Sequence, residues 1–93
     1  MLFRSCSKFF VGVDGVDPDF GITTSTIEEA QLSRKMMAAS SKTVVLADSS
    51  KLGKRGFGHI ATLEEIDIII TDDGITKEMC EVIESAGIEL IIA

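Results

Sequence analysis

Apolar positions along the chain fall into four short continuous runs separated by polar, glycine-bearing stretches. These are Lys8–Val13 (KFFVGV), Thr43–Ala47 (TVVLA), Ile66–Ile70 (IDIII) and Ile88–Ala93 (IELIIA), all rich in β-branched or aromatic residues. Runs this short fit strands better than buried helices. Their continuity, in place of strict alternation, predicts strands covered on both faces, as in parallel α/β sheets. Between the first two runs, Leu32, Met36 and Ala39 recur at helical spacing, with Ala30 and Met37 widening the stripe, and predict a helix over 27–41. Thr26 followed by Glu29 has the pattern of a capping box, in which hydroxyl and carboxylate each take one exposed backbone N–H. A second helix starts after the Asp73-Gly74 turn with Thr76 as cap. Its stripe is Met79, Val82, Ile83 and Ala86, with Cys80 beside it as a small hydrophobe, and Gly87 supplies a left-handed stop. The segment 49–65 shows no comparable period and reads as a functional loop with one short turn near Leu63–Glu65. Strand–helix–strand order implies right-handed parallel crossovers. The expectation is one α/β domain, or part of one, over 1–93, a partial parallel sheet with flanking helices.

Composition narrows the class. Of 93 residues, 45% are apolar and 26% charged, which suits a folded globular chain over a disordered one. Fifteen acidic residues against nine basic give a net charge of -6, poorly suited to tracking phosphate backbones. No apolar run approaches the ~18–20 residues of a membrane span. The opening MLFRSCSKFF has no small-residue cleavage site, so a signal peptide is not expected. Cys6 and Cys80 form neither a metal spacing nor a disulfide framework, and the cytoplasm is the expected compartment.

Candidate chemistry gathers where strands end, since ligands of parallel sheets collect at carboxyl edges. The first run leads into Asp14-Gly15, the second into Asp48-Ser49-Ser50-Lys51, and the third into Thr71-Asp72-Asp73. Carboxylates and hydroxyls on one rim suit a polyhydroxyl ligand, because each sugar hydroxyl both donates and accepts. A phosphate needs backbone N–H groups and cations instead. Gly21-Ile22-Thr23-Thr24-Ser25-Thr26 is expected to offer the former, and Lys51, Lys54 and Arg55 the latter. Each feature also has a plain structural role: Asp14 as a turn residue, Glu29 as a cap, Asp48 as a polar strand exit, and the cations as a solvated loop.

Taken together, Phe10-Val11-Gly12-Val13-Asp14-Gly15-Val16-Asp17, Gly21-Ile22-Thr23-Thr24, Glu29-Ala30 and Ala47-Asp48-Ser49-Ser50-Lys51-Leu52-Gly53 resemble the effector domain of the DeoR family of bacterial transcriptional regulators, in order and spacing from Phe9 to Ala93. The resemblance implies a C-terminal sugar-phosphate-sensing domain, with a fold similar to ribose-5-phosphate isomerase, glucosamine-6-phosphate deaminase and CoA transferases. It further implies that Asp14, Gly15, Thr23, Thr24, Glu29, Asp48, Ser49 and Lys51 border the effector pocket. The effector would be a phosphorylated sugar or sugar alcohol, with no catalytic residue, metal or cofactor. Family members begin with a winged helix-turn-helix, which nothing here resembles, and the first half of the effector domain, with its glycine- and threonine-rich phosphate loop, is expected to be missing as well. The expectation is therefore the last third of such a regulator, reaching DNA only through a helix-turn-helix absent from this chain. Its open sheet edge favours a homo-oligomer.

Two other readings stand beside this one. Asp14 and Asp17 form a DGxD pattern like that of ribose-5-phosphate isomerases, which would make the chain an aldose–ketose isomerase working through an enediol. A remnant that binds no small molecule is the third. Other motifs carry little: Gly56-Phe57-Gly58-His59-Ile60-Ala61 follows no expected strand and fails as a dinucleotide fingerprint. Asp17, Asp19 and Glu28 fit a calcium-loop spacing, but Ile22 stands where glycine is required. His59 has no second ligand for zinc.

Overall fold

The computed structural model describes residues 7–93, so the opening segment and Cys6 lie outside the described residues. Seven strands and two helices follow in the order β1 (Lys8–Gly12), β2 (Gly15–Asp17), β3 (Gly21–Thr24), α1 (Ile27–Ala38), β4 (Lys42–Leu46), β5 (Gly58–Ala61), β6 (Ile68–Thr71), α2 (Lys77–Ser85) and β7 (Glu89–Ile92). Short 3-10 turns occupy Ser49–Lys51 and Leu63–Glu65.

The four expected strands form one sheet in the order β1-β4-β6-β7, parallel throughout. Register places Phe10 beside Val44, Val44 beside Ile68, and Ile70 beside Ile91. The chain moves across this sheet in one direction only. Right-handed crossovers that never reverse direction all fall on the same side. That side carries the odd-numbered strand residues Val11, Val13, Val45, Ala47 and Ile69, which cluster with Ala30 of α1, Ile83 of α2 and Ile60 of β5. One core results, on one face.

A second sheet, β2-β3-β5, is antiparallel and caps that core with Val16, Ile22, Ile60 and Ala61. It corrects the reading of residues 58–61 as loop, and it adds strands at 15–17 and 21–24 where none was expected. These strands are three or four residues long and built on Gly15, Gly21 and Gly58, so they lack the apolar run that marked the others. A Cβ on Gly15 would strike the Lys54 carbonyl, and one on Gly58 the Thr26 carbonyl. The two glycines are needed for close packing.

The helices hold with altered faces. In α1, Ala30 is buried and Met37 partly so, while Leu32 and Met36 are exposed, against expectation. The real contact stripe is the narrower 30/33/37 line, because α1 packs on β3 and β5 as well as β1 and needs small residues there. Thr26 accepts from Glu29 N as a cap, but the Glu29 carboxylate turns to other hydroxyls and the box is not closed. In α2, Ile83 is fully buried, with Met79 and Ala86 packed against the core. Val82, expected in the stripe, is 37% exposed. Gly87 takes φ +84 after the helix, as its position predicted.

Candidate functional site

The carboxyl edge of the parallel sheet collects the polar strand exits. Val13 N–H donates to Leu46 O and Ala47 N–H to Ile70 O, which extends the ladder by one residue past each strand. Asp14, Asp48 and Asp72 therefore emerge side by side from β1, β4 and β6. Asp14 also donates its N–H to Thr23 O (2.9 Å), which hangs β3 on the same rim.

The Asp48–Lys51 corner is a tight polar turn. Asp48 accepts from Ser50 N (3.0 Å) and from the Ser50 hydroxyl, which, with Lys51 nearby, holds its carboxyl below the usual 3.8. Ser49 donates its N–H to Asp72 (3.0 Å), and Asp72 also takes Gly74 N–H (2.8 Å). These bonds, Ser49 first, lower the Asp72 carboxyl as well. Two anionic side chains are thus fixed, Asp48 by its own turn and Asp72 by Ser49 of the neighbouring corner and Gly74 of its own loop. Beyond the corner, Gly53 N–H donates to Val16 O (2.7 Å) and Gly56 N–H to the Thr23 hydroxyl (2.6 Å). The 52–56 segment is stitched across β2 and β3, which brings the corner up to Gly15.

A second polar group lies at the start of α1. The Glu29 carboxylate accepts from the hydroxyls of Thr24 (3.2 Å) and Ser25 (2.9 Å).

The eight expected pocket residues therefore divide. Asp14 and Asp48 are exposed, Ser49 and Lys51 half-buried, and all four share the carboxyl rim. Thr24 and Glu29 form the adjoining cluster. Gly15 is buried and serves close packing. Thr23 is buried too, and its hydroxyl, 3.5 Å from Gly15 O, is spent on Gly56, so it faces the protein and not the rim. The expected phosphate cradle over Gly21–Thr26 is corrected likewise. Gly21–Thr24 form the central strand of the small sheet, and their backbone groups face partners on both sides.

Arg55, expected as free positive charge, is also committed. Its Nε lies 3.0 Å from Asp17, and its guanidinium covers the Phe20 ring at 5.0 Å, with the His59 ring tilted against Phe20 at 53° and 4.7 Å between centroids. Asp17 further accepts the N–H groups of Asp19 (2.8 Å) and Phe20 (2.9 Å), so Arg55 foremost, then these, hold its carboxyl low. Asp72 is the rim residue that the expected set omitted. Its signal was present in the sequence, as the first carboxylate after an apolar run. Among the described residues no His, Cys, Asp and Glu cluster is arranged to hold a metal, and no helix is long and apolar enough to cross a membrane.

Comparison with known proteins gives a consistent family. A family model described as the DeoR C terminal sensor domain matches residues 4–73. The chain is 42% identical over 82 residues to the HTH-type transcriptional regulator GlpR of Haloferax volcanii, covering 88% of this chain and 32% of that protein. It is 36% identical over 83 residues to a putative aga operon transcriptional repressor of Escherichia coli, covering 89% of the chain and 31% of the relative. The HTH-type transcriptional repressor GlcR of Bacillus subtilis is 36% identical over 85 residues, 91% of the chain and 33% of the relative. The chain spans about a third of the length of these relatives.

Proposed function

We propose that this chain, which belongs to the DeoR family of transcriptional regulators through their C-terminal sensor domain, binds a phosphorylated sugar or sugar alcohol at the carboxyl rim of its parallel sheet. The observation that carries the reading is the convergence of Asp14, Asp48, Ser49, Lys51 and Asp72 on one edge, with both aspartates of the corner pre-oriented by fixed N–H donors. Ionised carboxylates accept from sugar hydroxyls, and charge-assisted bonds of this kind are about twice as strong as neutral ones. Lys51 is the cation closest along the chain to these acids and is assigned to the anionic end of the ligand.

The role is binding without turnover. Asp17, which an isomerase would use beside Asp14, is held by Arg55 and two backbone N–H groups, so it is a weak base and is not available as an acid. In the whole regulator, an effector acts only through different affinities for the DNA-competent and DNA-incompetent states. A soluble cytoplasmic setting follows from that role.

Titration calorimetry with ribose 5-phosphate, glucose 6-phosphate and sorbitol 6-phosphate tests the reading. At least one is expected to bind and raise the melting temperature, with Lys51→Ala weakening it tenfold or more and leaving the ligand-free melt unchanged. Absence of any stabilisation would remove the proposal. Conversion of ribose 5-phosphate that is lost in Asp14→Asn would replace it with the isomerase.

A further inference from the structure

The strands that deliver Asp48 and Asp72 to the carboxyl rim carry other polar groups at their amino ends. Thr43 in β4 and Asp67 just before β6 each lie five residues ahead of the rim aspartate that follows the same strand, about 16 Å of extended chain away. There the tail of α1, β5 and the turn at Leu63–Glu65 surround a cavity of about 460 Å³, large enough for a small molecule and sharing no residue with the rim. Thr43 is 4% exposed, and its hydroxyl meets no hydrogen-bond partner among the described residues. Unlike the Thr71 hydroxyl it is not sealed in the core, and the cavity is the space it borders. Among the described residues, two carboxylates of the lining are only half used. Asp67 accepts the Thr43 N–H on Oδ2 (2.8 Å) and keeps Oδ1, while Glu65 spends Oε2 on the N–H and hydroxyl of Thr62 and keeps Oε1. Met37 and Ala38 bring the negative end of the α1 dipole to the same wall. Arg34, four residues before Ala38, also lines the cavity and forms no ion pair among the described residues.

We propose that this cavity is a second binding site, for a free amino acid, whose ammonium group lodges among Thr43, Glu65 and Asp67 while its carboxylate pairs with Arg34. An ammonium has three N–H donors, and the uncommitted Oδ1 of Asp67, Oε1 of Glu65 and the Thr43 hydroxyl offer three acceptors. A guanidinium matches a carboxylate with two parallel hydrogen bonds. Charge decides between ligand classes. A simple cation would leave Arg34 unanswered, and a simple anion would face two carboxylates and the tail of a helix. A molecule bearing both charges answers every group. A bare metal ion fits poorly, since no cluster of His, Cys, Asp and Glu among the described residues is arranged to hold one. His59, braced against Phe20, and Ile60 form a less polar wall for the side chain of the ligand.

Amide chemical-shift mapping of the 93-residue chain against each of the standard L-amino acids tests this directly. At least one is expected to shift Thr43, His59 and Asp67 together at submillimolar concentration, leaving Asp48 and Lys51 in place. For that amino acid, the amine lacking its carboxylate and the N-acetylated acid should each bind at least tenfold more weakly. Arg34→Ala, at an exposed helix position, should weaken the amino acid tenfold or more and leave binding of the amine unchanged. General damage to the fold would not separate the two ligands. Asp67→Asn should weaken both. Circular dichroism checks that it is folded, and if it is not, Thr43→Val, which keeps the side-chain shape, takes its place. Lys51→Ala should bind the amino acid as the parent does, so this site and the sugar-phosphate rim stand or fall separately. The proposal is overturned if no amino acid shifts these amides, or if Arg34→Ala weakens amine and amino acid alike. Parent-like binding by Asp67→Asn, or lost binding in Lys51→Ala, would overturn it equally.

Discussion

Thr23 has no exposed surface, and its hydroxyl accepts the Gly56 N–H at 2.6 Å, joining β3 to a loop thirty-three residues away. Thr23→Val should leave that amide without a partner and cost about 1–3 kcal/mol by urea denaturation, with Thr23→Ser close to the parent. Thr71 presents the opposite case. Its Oγ1 is buried without a hydrogen-bond partner, so Thr71→Val keeps the shape, removes the desolvated hydroxyl and should raise stability by about 1 kcal/mol. Acid sensitivity belongs to the same scale. Asp17, Asp48 and Asp72 all have carboxyls held below their unfolded value of 3.8. A depressed folded value means stability that is complete above the unfolded pKa and lost as pH falls through the folded one. Asp72→Asn should therefore make the acid-side decline of the melting temperature shallower, and an unchanged slope would exclude Asp72 as a contributor. Identity alone marked Asp14 and Asp48 as rim residues, because each follows directly on an apolar run. It could not assign Thr23 or Arg55, whose partners Gly56 and Asp17 lie more than thirty residues away.

At the scale of elements, the parallel strands were legible because short apolar runs of three or four residues bounded by turn residues have few other stable placements. Helix α2 was legible in extent but turned slightly in face. Ile83 is its fully buried residue, so Ile83→Ala should cost about 2–5 kcal/mol. Val82→Asp should stay within about 1 kcal/mol of the parent in the same thermal or urea melt, since that side chain reaches solvent. Helix α1 misled more, as Leu32 and Met36 keep helical spacing yet face outward. The small antiparallel sheet left no readable period. Its strands are too short, and their glycines, which in isolation signal turns, serve contacts with Lys54 and Thr26 that only the assembled fold creates.

The whole molecule is governed by the direction in which its chain crosses the sheet. One-way winding gathers both helices and the small sheet on one side, and it delivers the strand exits to a single rim. Local patterning implied the parallel sheet and the rim. It also implied cover on both faces, and among the described residues both helices lie on one of them. A different consequence follows from the stitching of residues 52–56. Gly53 is tied to Val16 and Gly56 to Thr23, so the turn at Asp48–Lys51 has no slack with respect to β2 and β3. A molecule that tugged on that turn would act as a hand on a lever whose far arm, through Arg55, ends at the Phe20 ring and the His59 ring tilted against it. Occupancy at the rim would thus be legible on a distant flank of the protein.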